Sequence, residues 1–423
     1  MLPKQKYRVF AVLLIVALLS PTLIVTSTST TGTASASSSS DDWPMFHYDT
    51  AFTGHSNSQA LESCPKALWT TGYEHRGGFM PSSPAIVNNI VYVNDFGLYA
   101  YDATTGRLIW EQEDNHLAAP VVENGVVYTP SGAFDAQTGS VLWKAGGTRF
   151  AAVGRFVAVA DGIFYTGLTE HVSGADDRGL LVALDASNGE RLWSKNYFSY
   201  FAPAIANGQL FFGPFTLNAT TGDDIWRWNT SVQINYSPAY SNDNVFFDDI
   251  NGHLFCVNAL NGTAIWQNTF AAHSAYSSPA VADGLVFLGT YDGKVLAFNA
   301  TDGNKVWAFS TTKASSGETI SVDSSPAVAG GIVYVTASDG NLYALNAYNG
   351  VELWQYNVGA QPQYGCSPAI ANGHIYVGSK NTRLTALEAN PFNLLVVVAS
   401  LIVFVIAICG VILFKYKRRR KKK

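Results

Sequence analysis

From residue 82 to residue 388 the chain is a succession of short apolar runs cut by polar punctuation, and SSPAVADGLVFLGTYDGKVLAFNATDGNKVW (residues 277–307) shows one full cycle. The runs LVFLG, KVLAFNA and KVWAF are too short for helices and rich in β-branched and aromatic residues, so they predict strands. Each cycle has three turns. The first uses a corner dipeptide: Asn124-Gly125, Asp161-Gly162, Asn207-Gly208, Asp283-Gly284, Gly330-Gly331 or Asn372-Gly373, with Asn89 and Asn244 serving in two further units. Such pairs supply the positive φ that tight hairpins require. The second turn carries Asn251-Gly252, Asp292-Gly293 or Asp339-Gly340, and the third carries pairs such as Thr105-Gly106, Asn188-Gly189 and Asp302-Gly303. Three hairpin turns joining four strands predict a small antiparallel sheet.

The cycle repeats. Trp69, Trp110, Trp143, Trp193, Trp226, Trp266, Trp307 and Trp354 recur at intervals of roughly 33–50 residues, each closing the same pattern. An SPA motif or a relative opens most cycles, at Pro84, Pro120, Pro203, Pro238, Pro279, Pro326 and Pro368, with Val157 in place of the proline in one unit. Eight four-stranded units predict an all-β fold, an eight-bladed β-propeller of four-stranded antiparallel blades. A β-solenoid is the competing arrangement, but it leaves Trp69 unexplained. In a ring, ALWTTG around Trp69 is the N-terminal strand that closes the last blade.

Charged residues at 13% and aromatics at 13% fit many short strands. The net charge of −5 conceals an acidic body, because the last nine residues, KYKRRRKKK, concentrate cations. Nucleic acid is therefore not an expected partner.

The ends predict an address. Residues 1–26 read as a signal peptide or signal anchor, with Lys4, Lys6 and Arg8 ahead of an apolar run, and residues 27–42 read as a Ser/Thr-rich linker. The propeller is assigned to residues 43–390. Residues 391–414 are apolar and uncharged, a transmembrane helix of roughly 34 Å, and the basic tail at 415–423 fixes its orientation as cytoplasmic. These features predict a cell-membrane protein, single-pass or double-pass, with an extracytoplasmic propeller. On an exported chain the sequons at Asn218, Asn229, Asn235, Asn261 and Asn299 are open to glycosylation. Cys64, Cys256, Cys366 and Cys409 do not form an expected disulfide framework.

The recurring A-x-[D/N]-x-x-[T/N/D]-G-x-x-x-W, as in AYDATTGRLIW, ALDASNGERLW and AFNATDGNKVW, resembles the repeat of the PQQ-like, or quinoprotein-like, eight-bladed propellers. WPMFHYDTAFTGHS at residues 43–56 is similar to the segment that precedes the first blade in that family. The resemblance implies that the eight tryptophans are structural blade wedges and that the Asp or Asn caps its turn. In the family's dehydrogenases, PQQ lies over a Trp floor beneath a disulfide of adjacent cysteines, beside Ca²⁺ and an Asp base. This chain has no Cys-Cys pair and no carboxylate that aligns with that base. The reading is therefore a scaffold of the non-enzymatic type with no cofactor, binding protein or carbohydrate, the alternative being a PQQ-dependent oxidoreductase with calcium.

No catalytic residue is singled out, and the eight histidines show no pairing with Cys or Glu at metal-ligand spacing, so no metal site is expected. DDING at residues 248–252 reads as a hairpin turn. Strand alternation places the loops that lead into the SPA strands on the face of the second turns. His116, Arg149, Tyr200, Tyr236, Tyr276, Asp323 and Tyr364 collect there as candidate ligand-binding residues. The same tyrosines also suit plain filling of a wide channel.

Overall fold

The computed structural model describes residues 41–72, 82–114, 116, 118–145, 150–170, 178–197, 201–228, 236–270, 275–311, 320–359, 366–379 and 383–390. Among the described residues eight sheets form, each a four-stranded antiparallel blade, and the sheet of blade seven gains a fifth strand, His55–Ser56, parallel to its inner strand Ala327–Ala329. Blade one is Ala85–Val87, Ile90–Asn94, Leu98–Asp102 and Leu108–Gln112, and the others repeat it. In blade eight the outer strand is the N-terminal Lys66–Gly72, paired with Arg383–Glu388 in the register Trp69↔Ala386. The ring is thus closed by the first strand of the chain, as the leftover tryptophan predicts.

The cause of the repeat is visible at each blade boundary. Asp102 Oδ1 accepts the Thr104 and Thr105 amides, which tightens the third turn and presents Gly106 to the preceding blade. The Trp69 indole lies on that glycine and donates its Nε1–H to Ala103 O at 2.8 Å. The same pair recurs as Trp110 on Gly139, Trp143 on Gly189, Trp193 on Gly222, Trp226 on Gly262, Trp266 on Gly303 and Trp307 on Gly350. Blade eight has no third turn, because the chain is cut there. Trp354 instead donates to Leu61 O at 2.7 Å, and the Leu61 amide donates to Tyr334 Oη. The segment preceding the closing strand therefore replaces the missing turn.

Immediately before each tryptophan the outer strand carries a bulge, so that Ile109, Leu142, Leu192, Ile225, Ile265, Val306, Leu353 and Leu68 have no cross-strand partner. The bulge breaks the outermost ladder, which blunts an otherwise open sheet edge.

Residues 43–56 run around the inside of the ring. Backbone bonds tie them to the inner strands of blades one (Trp43 N to Ile86 O), two (Val122 N to Pro44 O), four (Ile205 N to Thr50 O), five (Tyr240 N to Ala51 O), six (Val281 N to Thr53 O) and seven (Val328 N to Gly54 O). Ser56 Oγ donates to Ile370 O of blade eight. Met45 and Phe52 pack in the same apolar cluster as Phe156 and Val157 of blade three. Left-handed residues at His47, Tyr48 and Phe52 curve the segment. His47 is buried, and burial lowers its pKa to about 4, so the imidazole is neutral as its Nδ1–H donates to Phe52 O.

One local expectation changes. The blade-five corner is Asn242-Asp243, both at positive φ, while Asn244 already opens the next strand, Asn244–Asp248. In blade three the second hairpin is longer than in the other blades, Ile163–Glu170 pairing with Arg178–Asp185. Among the described residues Cys64, Cys256 and Cys366 are free. Among those residues, too, no helix is long and apolar enough to cross a membrane, and the segments at 1–26 and 391–423 lie outside the description.

The wedge makes a prediction about side-chain space. At Gly262 (φ +69) a Cβ meets Trp226 Cε3 at 2.5 Å, whereas at Gly125 (φ +79) it meets nothing within 4 Å. Gly125→Ala should cost about 1–2 kcal/mol for the left-handed backbone alone, and Gly262→Ala about 1–3 kcal/mol more for the overpacked indole. Chemical denaturation of the two variants gives the comparison, and equal losses would show that the wedge is not tightly packed.

Candidate functional site

The face bearing the first and third turns carries both ends of the ring. Lys66 opens the closing strand beside Glu388, with Nζ to Oε1 at 3.0 Å. On the same face Asn88 N donates to Asp42 Oδ1 and Gly373 N to Ser58 Oγ. The curved segment fills the channel from this side, and the opposite face carries the second turns and the loops that feed the inner strands.

Just inside that second face runs a chain of serines from the SPA motifs. The Ser237 amide donates to Ser278 Oγ, Ser278 N to Ser325 Oγ, Ser325 N to Ser367 Oγ and Ser367 N to Ser83 Oγ, all within 2.9–3.2 Å. These bonds link blades five, six, seven, eight and one. Blades two, three and four have Ala119, Phe156 and Ala202 at the same place, so the channel wall is polar on one side and apolar on the other.

Of the predicted site residues, the structure places Tyr236, Tyr276, Asp323 and His116 on the second-turn face. Arg149, Tyr200 and Tyr364, like Asn229 and Asn235, lie outside the described residues. Phe201, Tyr236 and Tyr276 form an arc across blades four to six, with ring centroids 5.4 Å and then 6.3 Å apart. The arc reaches Asp323 of blade seven, whose Oδ2 accepts Ser321 Oγ at 2.6 Å. Burial is the chief influence on this carboxyl and raises its pKa to about 6, against the opposing effect of the Ser321 bond and the Tyr276 amide.

His116 belongs to a separate cluster at the junction of blades one and two. Buried Asp114 is its hub, accepting His116 Nδ1 at 2.6 Å, Ser131 Oγ at 2.9 Å and Asn94 Nδ2 at 3.1 Å. Burial opposes ionisation of Asp114, but the bonds from His116, Thr129 and Ser131 outweigh it and hold the carboxyl below its usual range. Ser131 Oγ also lies 2.9 Å from His116 Nδ1. Serine and aspartate therefore meet the same ring nitrogen, which is not the relay of a nucleophilic triad, where they address opposite nitrogens. On the same face Asp249 accepts His253 Nδ1 at 2.7 Å, as well as the Asn251 and His253 amides, so DDING is the hairpin turn it was expected to be. Burial also raises Asp95 to about 7. Among the described residues no group of three or more His, Cys, Asp or Glu is placed to hold a metal, and none of the buried residues is Lys or Arg.

Sequence reading missed Phe201, which takes in blade four the register position of Tyr236, because its ring lacks the polar tip that marks the tyrosines as candidates. It missed Asp114 although the D-x-H spacing was readable. The sequons also gain a structural origin: Asn218 and Asn299 occupy the third-turn cap filled by Asp102 elsewhere, and each accepts the amide two residues on. N-A-T is in part a product of the repeat.

Asp323 carries a pH prediction. Its folded pKa of about 6 exceeds the ordinary 3.8, so the folded state favours the protonated form. As pH rises through the window between those values the unfolded chain releases the proton first, and stability falls, then stays lowered above it. Asp323→Asn should accordingly be more stable than the parent at pH 7.5, by up to about 3 kcal/mol, and no better at pH 4. Thermal unfolding at the two pH values measures this, and a variant less stable at pH 7.5 would show that the Ser321 bond dominates.

Comparison with known proteins agrees with this architecture. The chain is 30% identical over 224 residues to tetrathionate hydrolase of Acidithiobacillus ferrooxidans, covering 47% of this chain and 40% of that protein. It is 29% identical over 202 residues to outer membrane protein assembly factor BamB of Legionella pneumophila, covering 41% and 49%. The matched region thus spans less than half the length of either relative. The crystal structure of quinohemoprotein alcohol dehydrogenase from Comamonas testosteroni superposes with a TM-score of 0.65 at 15% identity, covering 82% of this chain and 80% of that one, a likeness of fold. The family described as outer membrane protein assembly factor BamB matches residues 64–132, 132–213 and 216–398. Since that match runs from the closing strand through every blade, the chain belongs to this family of propellers.

Proposed function

We propose that this protein is a membrane-anchored, extracytoplasmic scaffold that holds a protein or glycan partner on its second-turn face. One observation carries the reading: the channel is filled from the face where both chain ends leave, while the chemically distinctive groups gather on the other. A membrane helix at residues 391–414, expected from the sequence pattern, would then direct the second-turn face away from the bilayer. Kinship with BamB, whose name describes outer membrane protein assembly, supports a role in holding proteins at a membrane.

An enzyme is the second reading, favoured by the likeness to a quinohemoprotein dehydrogenase and to tetrathionate hydrolase. PQQ is a tricarboxylate and calls for cations around it. Among the described residues the buried carboxylates Asp95, Asp114, Asp248, Asp249 and Asp323 belong to no group of three placed to hold the accompanying calcium, and no Lys or Arg is buried, so these residues do not fit that cofactor. Purified protein supplied with PQQ and Ca²⁺, together with an artificial acceptor, should show neither quinone absorbance nor acceptor reduction.

The scaffold reading predicts one-sided contact. Tyr291, 52% exposed in a second turn, and Tyr348, 58% exposed in a third turn, sit on opposite faces. A photo-reactive side chain at position 291 in intact cells should capture a discrete partner, and one at 348 should not. Equal capture from both, or protection of the propeller from protease added outside the cell, would overturn the reading.

A further inference from the structure

The ring closure leaves a cleft of roughly 230 Å³ between blades seven and eight on the second-turn face. It is lined by Thr70 of the closing strand, Tyr356 and Asn357 from the outer strand of blade seven, and Ser379, Arg383 and Thr385 of blade eight. Its composition is unlike the rest of this face, where buried carboxylates prevail. Removing the eight cations of the terminal tail takes the chain from a net charge of −5 to −13, so Arg383 is a local cation on an acidic body.

Two groups in the cleft have no partner among the described residues. Ser379 is 2% exposed and its Oγ makes no hydrogen bond in the structure. A buried hydroxyl of this kind costs stability unless something bonds it. Arg383 is exposed and forms no ion pair among the described residues, although Glu388 on the same strand pairs with Lys66. Beside them Thr70 Oγ1 and Thr385 Oγ1 lie 3.2 Å apart, one donating to the other, and each retains a lone pair for a further donor. Asn357 Nδ2 donates to Asn341 Oδ1 at 3.0 Å, which fixes the amide and leaves its oxygen free to accept.

We propose that this cleft binds an acidic sugar unit of a glycan, its carboxylate on the Arg383 guanidinium and its ring hydroxyls on Ser379, Thr70, Thr385 and Asn357. The polar groups decide the class. A carboxylate side chain of a protein would use the guanidinium and a single hydroxyl donor, leaving the rest of the set unsatisfied. A polyhydroxylated acid uses donors and acceptors together, and the half-buried Tyr356 ring offers an apolar flank for a pyranose face. The cleft has the volume of about one sugar ring, so it reads one residue of a longer chain. The proposal rests on the scaffold reading above, whose partner it makes a glycan.

The test uses the full-length protein in detergent and glucuronate as probe, followed by saturation-transfer NMR. Glucuronate should bind with a Kd on the order of 1 mM. Glucose, which lacks the carboxylate, and propionate, which lacks the hydroxyls, should each bind at least about tenfold more weakly. Arg383→Gln should erase the preference for glucuronate over glucose. Ser379→Ala should weaken glucuronate several-fold while leaving thermal stability unchanged or raised, because it removes an unpartnered hydroxyl. That combination separates loss of a ligand contact from loss of fold. Absence of glucuronate binding, propionate binding as tight as glucuronate, or unaltered binding in Arg383→Gln would overturn the proposal. Glucuronate binding with no partner captured from position 291 would uphold the cleft and count against the scaffold reading alone.

Discussion

Everything in this ring depends on the indole of one blade lying on the third-turn glycine of the next. A four-stranded sheet of this size cannot bury both its faces alone, and the wedge supplies flat apolar area together with a donor for the one carbonyl the turn leaves exposed. Asp102 and its counterparts shape the turn, the glycine admits the ring, and the bulge before each tryptophan aims it. These parts are mutually dependent, since an alanine beneath the indole or a regular outer strand would each displace the ring. The constraint also explains why the chain begins with an outer strand. Closing the circle with a strand from the opposite terminus makes the last boundary like the other seven, except that Leu61 must supply the carbonyl that a third turn supplies elsewhere.

That substitution has a consequence for the whole molecule. To bring Leu61 under Trp354, the preceding residues must arrive on the first-turn face, and they do so after running around the channel. Inner strands in a wide propeller point amides into the bore that have no partner within their own sheet. Residues 43–56 satisfy such amides in blades one, two, four, five, six and seven, which fills the bore from one side. The two faces are thereby made unequal by backbone chemistry, before any specialised side chain is considered.

The repeat, the blade number and the closing strand were legible in the sequence because each rests on residues close together: a corner dipeptide, an Asx-capped turn, a tryptophan eight positions from its Asp. The blade-five corner was misplaced by the same local logic, since Asn242, Asp243 and Asn244 all tolerate positive φ and only the strand register chooses among them. The serine chain was not legible. Ser367 and Ser83 are 284 positions apart and meet only when the ring is closed. The Asp114 hub joins a loop, a second turn and an adjoining blade, so its D-x-H spacing meant little until Asn94 and Ser131 were brought beside it. Of the candidate site, the face could be read and the partners of each residue could not.

Family membership settles the wedge and leaves the task open, because the wedge is what scaffolds and enzymes of this fold have in common. What separates them must lie where the eight units differ. Here the differences are not scattered. Five blades carry the serine chain and three do not, the aromatic arc spans the boundary between those sets, and the residues around the ring closure combine a cation and a buried hydroxyl that have no partner among the described residues. Departures that concentrate on one face, and cost burial of carboxylates and hydroxyls there, mark that face as the part of the molecule shaped by something other than folding.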